Sequence, residues 1–179
     1  MDHIDEKIRL EFEDLKDFLN SVGIITETVP RGGGFDAETM LVCLPSVHGL
    51  PDMTEDMEEG SLHLASACFL LPDEGEKEPA ITKYLSFYSQ IHASLDGMDE
   101  TDILRLINRM NRTVRIGHYF YGEVSGEENR MIQYRAMVSG DAQEPLDGGL
   151  VADAVFEMGV AYDLMLEAVE QERTSAVQD

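Results

Sequence analysis

The side chains able to ligate a metal or carry a nucleophilic reaction are few, and their spacing is poor for either task. Histidines stand at positions 3, 48, 63, 92 and 118. No two of them have the i, i+4 spacing that sets a zinc pair on one helix face, and no cysteine lies near them at ligand spacing. His63, His92 and His118 fall in strand-like segments and could converge in space, although ordinary sheet histidines are the simpler reading. Cys43 and Cys68 sit in apolar, strand-like runs with no CxxC spacing, which predicts buried free thiols in a reducing compartment. The run Asp52-x-x-Glu55-Asp56-x-Glu58-Glu59 offers carboxylates to calcium but lacks the EF-hand order and its central glycine, so it reads as a solvated loop. Pro30-Arg31-Gly32-Gly33-Gly34-Phe35 has the glycines of a phosphate loop. It lacks the lysine, the Ser/Thr and the following helix, and reads as a flexible turn between strands. There is no Gly-x-Ser-x-Gly elbow, and neither thiol has a base that the sequence identifies. Carboxylates are too numerous for a catalytic pair to stand out. The expectation is no catalytic residue, no cofactor-binding residue, no metal site and no enzyme.

Composition points the same way. Over 179 residues there are 36 acidic against 13 basic side chains, a formal charge of -23, with 43% hydrophobic residues. That is enough apolar content for one core in one domain. The charge repels phosphate backbones and anionic lipid surfaces, so neither nucleic acid nor membrane is expected as a partner. It suits solubility and contact with basic or amphipathic proteins. Met1-Asp2-His3-Ile4-Asp5-Glu6 has no basic region followed by an apolar core, as a signal peptide would. No apolar run approaches the roughly 20 residues of a membrane span. A cytoplasmic location is expected.

The elements that would position any site follow from periodicity. Ile4, Ile8, Phe12, Leu15, Phe18 or Leu19, and Val22 recur at steps of three and four, which predicts an amphipathic helix stopped by Gly23. Ile24 to Val29 and Thr39 to Leu44 form a hairpin around the glycine-rich turn. Pro45 to Gly60 is an acidic excursion, Ser61 to Leu71 a central strand, and Pro72 to Pro79 a loop. Ile81 to Leu95 fits a helix or a strand. Its long alternation and its β-branched and aromatic content favour the strand. Asp99-Glu100-Thr101-Asp102 opens a second helix with Ile103, Leu104, Ile107 and Met110 on its apolar face. Ile116 to Val124 and Met131 to Val138 make a second hairpin. Val151, Ala154, Val155, Met158, Tyr162, Met165, Leu166 and Val169 form the buried stripe of a last helix. Residues 1–170 are expected as one domain and 171–179 as a flexible tail. The order α-β-β-β-β-α-β-β-α predicts an α+β fold whose antiparallel sheet carries helices on one face, leaving the other for a partner or a second copy.

The segment Ile107-Asn108-x-x-Asn111 through Arg115-Ile116-Gly117, followed by an apolar hairpin and a closing helix, resembles the YbjN-like proteins. These are sometimes labelled sensory transduction regulators and share their fold with type III secretion chaperones. In layout the resemblance covers nearly the whole chain. Met110 stands where an aromatic residue often lies between the asparagines, and Pro45 to Gly60 looks inserted. The resemblance implies a dimeric, non-enzymatic, protein-binding module.

Two sets of residues are therefore candidates. Asn108 and Asn111 could touch a partner. A structural role is favoured, because asparagine at a helix end bonds loose backbone groups. In the second hairpin, Tyr119 and Tyr121 are expected to share a face with Met131, Gln133, Arg135 and Met137. That mixture of aromatic, methionine and arginine is typical of protein interfaces. Ile116, Phe120, Ile132, Tyr134 and Val138 would form the opposite face. The functional expectation is a chaperone-like or regulatory module, homodimeric, holding a partner segment on its sheet face or edge. The alternatives are a small-molecule or nucleotide sensor using the Gly32-Gly33-Gly34 turn, and an enzyme whose site assembles only in three dimensions.

Overall fold

The structure, a computed structural model, describes residues 2–46, 63–70, 81–123 and 130–176. It contains α1 (Asp2–Ser21), β1 (Thr26–Val29), β2 (Thr39–Cys43), β3 (Leu64–Leu70), β4 (Thr82–Ile91), α2 (Glu100–Met110), β5 (His118–Glu123), β6 (Arg130–Asp141) and α3 (Gly148–Ala176). This is the expected α+β order, and Ile81 to Leu95 resolves as strand over Thr82–Ile91. The acidic excursion and the turn of the second hairpin, 125–128, lie almost wholly or wholly outside the described residues.

Helix α1 buries Phe12, Leu15 and Leu19. It ends in a motif that requires its glycine. Gly23 has φ 87, its N–H donates to the Asn20 carbonyl at 3.1 Å, and the Ile24 N–H reaches back to Leu19 at 2.9 Å. The crossed bonds satisfy two loose carbonyls, and Ile24 and Leu19 are both buried beside them, the usual hydrophobic partner of this stop. Phe18 and Val22 are left partly exposed.

The strands form one six-stranded antiparallel sheet in the order β1-β2-β3-β4-β6-β5. Strand β6 enters between β4 and β5, so it is central although it is the last strand in sequence. Its ladder with β4 runs from Thr82↔Asp141 to Ile91↔Ile132. Residues directly opposite in such a ladder share a face. Met40, Val42, Ala65, Ala67, Leu85, Phe87, Ile91, Ile132, Tyr134, Ala136 and Tyr119 all lie on one face and are buried. Against them pack Phe12 and Leu15 of α1, Ile103, Leu106 and Ile107 of α2, and Val151, Val155, Met158, Tyr162 and Met165 of α3. The described helices thus cover one face of the sheet.

An ion pair is built into the edge of this core. Glu11 of α1 accepts from Lys83 Nζ with both carboxylate oxygens, at 2.7 Å to Oε2. Its Oε1 also accepts the Leu146 N–H at 2.8 Å. The ammonium lies 5.7 Å from the Phe69 ring centroid, a cation–π distance.

Helix α3 continues to Ala176, past the boundary expected at residue 170. Its last turns are anchored: Ala168 and Val169 are buried, and Glu172 pairs with Arg109 of α2. Its middle passes close to the end of β2. A Cβ added at Gly159 would stand 2.0 Å from the Pro45 carbonyl oxygen, so only glycine allows this approach. No helix among the described residues is long and apolar enough to cross a membrane.

Candidate functional site

The face of the sheet away from the helices follows from register. His118 lies opposite Arg135, Phe120 opposite Gln133 and Gly122 opposite Met131. On the other side of β6, Arg135 faces Tyr88, Met137 faces Ser86 and Ser139 faces Tyr84. Cys68 then faces Ser86 and Leu70 faces Tyr84, and Leu41 faces Ser66. No described helix lies over these residues. Leu64, Leu70, Tyr84 and Met137 are exposed, Met137 at 53%. The Arg135 Nε donates to Ser86 Oγ at 3.3 Å, which lays the guanidinium along the sheet.

This corrects the expected pairing of faces. Tyr119 lies opposite Tyr134 and Tyr121 opposite Ile132, so both tyrosines point toward the helices. Tyr119 is buried and donates its hydroxyl to the Ala161 carbonyl of α3 at 2.6 Å. Burial holds that hydroxyl far above its ordinary pKa. Tyr134 meets it edge-on at 4.8 Å between centroids, and burial pushes Tyr134 up to about 12. Tyr121 carries the Arg130 guanidinium 4.9 Å from its ring. The physical reason is the pleat: a shift of one residue moves every side chain to the other face. The chain enters β5 through Gly117, with φ 69, and that turn fixes Tyr119 opposite Tyr134. Met131, Arg135 and Met137 lie on the open face as expected, and His118 and Phe120 take the places of the tyrosines. Gln133 is on that face but is buried. Its amide is held by the Tyr88 hydroxyl and by the Gly122 carbonyl.

The two asparagines separate cleanly. Asn111 caps the C-terminus of α2, where it was expected. Its side chain then copies a strand. The Tyr119 N–H donates to Asn111 Oδ1 at 2.7 Å, and Asn111 Nδ2 donates to the Tyr119 carbonyl at 3.0 Å. One amide thereby closes one position of the β5 edge, which backbone groups would otherwise leave open. Asn108 is exposed on α2.

One polar cluster was not legible in the sequence. Asp163 of α3 is buried; it accepts from Ser46 Oγ at 2.9 Å and lies 3.5 Å from His63 Nδ1. His63 stacks on Tyr162 at 3.9 Å between centroids, and the Tyr162 hydroxyl accepts the His92 N–H at 3.0 Å. Burial lowers the His63 pKa, the neighbouring Asp163 opposes this, and His92 adds to it. A serine relay places the imidazole between hydroxyl and carboxylate. Here the carboxylate stands between serine and imidazole, so the cluster ties chain segments together. Of the three histidines expected in strands, His118 lies in β5 on the open face, whereas His63 and His92 stand just outside the ends of β3 and β4.

The glycine turn borders a groove of about 360 Å³ lined by Ile8, Phe69 and Pro30 with Arg31, Asp36 and Glu38. Two carboxylates against one guanidinium have the wrong sign for a phosphate. Cys43 and Cys68 are free thiols, and burial raises both. Among the described residues no group of histidine, cysteine and carboxylate side chains is arranged to hold a metal ion.

No family model matches this chain, and no curated protein matches it. Among solved structures it is similar to that of YbjN, a candidate transcription regulator from E. coli. The two share 13% identity, the alignment covers 90% of this chain and 93% of that one, and the TM-score is 0.41.

Proposed function

We propose that this chain is a non-enzymatic protein-binding module, chaperone-like or regulatory, that takes a segment of a partner protein on the open face of its sheet. One observation carries the reading. In a chain with 36 acidic residues, the described residues of the open face from β2 to β5 include no carboxylate short of Asp141 at the far end of β6, and Glu27 stands beyond Leu41 on the edge strand β1. Its exposed side chains are leucine, tyrosine, methionine, serine, histidine and one arginine. Aromatic residues, methionine and arginine are enriched at protein interfaces, and acidic residues are depleted there. A surface kept for solvent alone would carry charge as the remainder does.

When no partner segment occupies it, the same face is the proposed contact of a homodimer, in which a two-fold axis sets each patch against its copy. Repulsion between the two acidic bodies is largely screened beyond about 8 Å at physiological salt. Light scattering across a dilution series tests this. A mass of 20.0 kDa at every concentration removes the dimer, and a dimer that survives Met137→Asp removes this face from it. For the partner, native capture followed by mass spectrometry is compared between the wild-type chain and two variants. Met137→Asp on the open face should lose the partner and Leu104→Asp on α2 should keep it. Equal capture by both variants refutes the assignment.

A further inference from the structure

We infer that the free edge of β6 beyond Arg135 accepts an added strand: an extended partner segment with an apolar side chain in the groove beside α3 and a lysine or arginine against Asp153. This rests on the reading of the chain as a protein-binding module, but it uses the edge of the sheet and not its open face.

Strand β5 stops short of its partner. Its first pair is His118↔Arg135, while β6 runs on to Asp141. Bonding direction alternates along an antiparallel strand. Tyr119 gives its N–H and C=O to Asn111, away from β6. The bonded pairs between β5 and β6 are therefore those of Arg135, Gln133 and Met131. On the opposite side the Ala142 N–H continues the ladder to Ile81 of the β4 side at 3.1 Å. Even-numbered residues of β6 thus bond toward β4 and odd-numbered ones toward β5. Past Arg135, Met137 and Ser139 aim an N–H and a C=O each at a side where no described strand stands. The chain before β5 leaves this line at Gly117, packed so tightly that an added Cβ would lie 2.4 Å from the Arg135 carbonyl oxygen.

A groove of about 260 Å³ runs beside that edge. Ile116 and Val138 form its apolar floor, Leu150 and Ala154 of α3 its wall, and Asp153 and Glu157 its rim. Leu150 is 51% exposed. Glu157 accepts from Arg115 at 2.7 Å; among the described residues no cation pairs with Asp153. Paired donors and acceptors repeating every second residue, about 7 Å apart, match an extended backbone and no compact ligand. A residue opposite Val138 would turn its side chain toward Leu150. Charge selects the occupant. A second copy on this edge would set Asp153 and Glu157 of one chain against the same residues of the other, whereas a basic segment is attracted.

The probe is a capped synthetic hexapeptide, Val-Thr-Lys-Thr-Val-Thr, whose valines and lysine share one face of an extended strand, titrated into the full-length, 15N-labelled protein. Amide shifts and exchange protection are expected at Met137 and Ser139. A peptide N-methylated along one edge should lose at least about tenfold in affinity, since each unmade backbone bond removes about 1 kcal/mol. Ser139→Pro removes the outward N–H, is tolerated on an open edge, and should weaken binding similarly. Asp153→Lys, at an exposed helix position, should shift preference to the same peptide with glutamate in place of its lysine. Equal binding of the N-methylated peptide, or no protection at Met137 and Ser139, overturns the inference. Protection confined to Leu64, Tyr84 and Met131 overturns it too, and leaves the open-face reading standing.

Discussion

Replacing Asn111 by alanine removes two hydrogen bonds at once, because its amide serves both the N–H and the C=O of Tyr119. Each such bond contributes about 1 kcal/mol net, so the loss should be about 2 kcal/mol. Among the described residues the backbone of Tyr119 has no second strand to turn to on that side, and its side chain is anchored to α3, so the edge cannot move to recover the bonds. With a urea dependence of about 2 kcal/mol/M, the unfolding midpoint should fall by about 1 M. Asn111→Asp keeps an acceptor for the N–H but sets a carboxylate against the Tyr119 carbonyl, and at neutral pH it should cost at least as much. Asn108, three residues earlier and exposed, should behave oppositely. Alanine there gains about 0.5 kcal/mol of helix propensity. An Asn111→Ala midpoint indistinguishable from wild type, or an equal loss at Asn108→Ala, would refute the assignment of the pair.

Lys83→Met should cost about 3–5 kcal/mol, because it strands the buried Glu11. Adding Glu11→Leu should recover all but about 1 kcal/mol, the share of the Leu146 N–H; a single variant as mild as the double would refute the ion-pair geometry. Because burial lowers the His63 pKa, the unfolded chain takes up that proton more readily. The associated stability is whole above about pH 6.5 and declines as pH falls toward the folded value. Thermal melts between pH 7 and pH 5 should therefore show a shallower loss in His63→Asn than in wild type, and equal slopes would count against it. Both thiols should react slowly with a disulfide reagent in the native state, Cys68 on the open face before the buried Cys43. Labelling of Cys43 first would contradict its deeper burial.

The element order was legible because its signals are local. Leu15 and Leu19 repeat at helical spacing, Leu85, Phe87 and Ile91 alternate, and Gly23 ends a helix by its conformation. Asn111 at a helix end was legible for the same reason. The face of β5 was not, since alternation defines two faces without saying which meets the helices. That choice belongs to the turn at Gly117 and to the pairing of Tyr119 with Tyr134. The cluster on Asp163 was hidden because Ser46, His63 and Asp163 are brought together only where α3 crosses the end of β2 at Gly159. The extension of α3 past residue 170 has no local signal, because the partner of Glu172, Arg109, sits on another helix.

The insertion of β6 between β4 and β5 has a consequence for the chain during its synthesis. The strand that joins the two parts of the sheet is made after β5, so the long edge of β4, with Leu85 and Phe87 on one side of it, waits unpaired while α2 and β5 are added. An unpaired apolar edge is a template for the wrong partner, including a neighbouring nascent copy. Chains cut short before Arg130 should therefore aggregate, and slow production of residues 92 to 141 should lower the soluble yield of a sequence that is stable once complete.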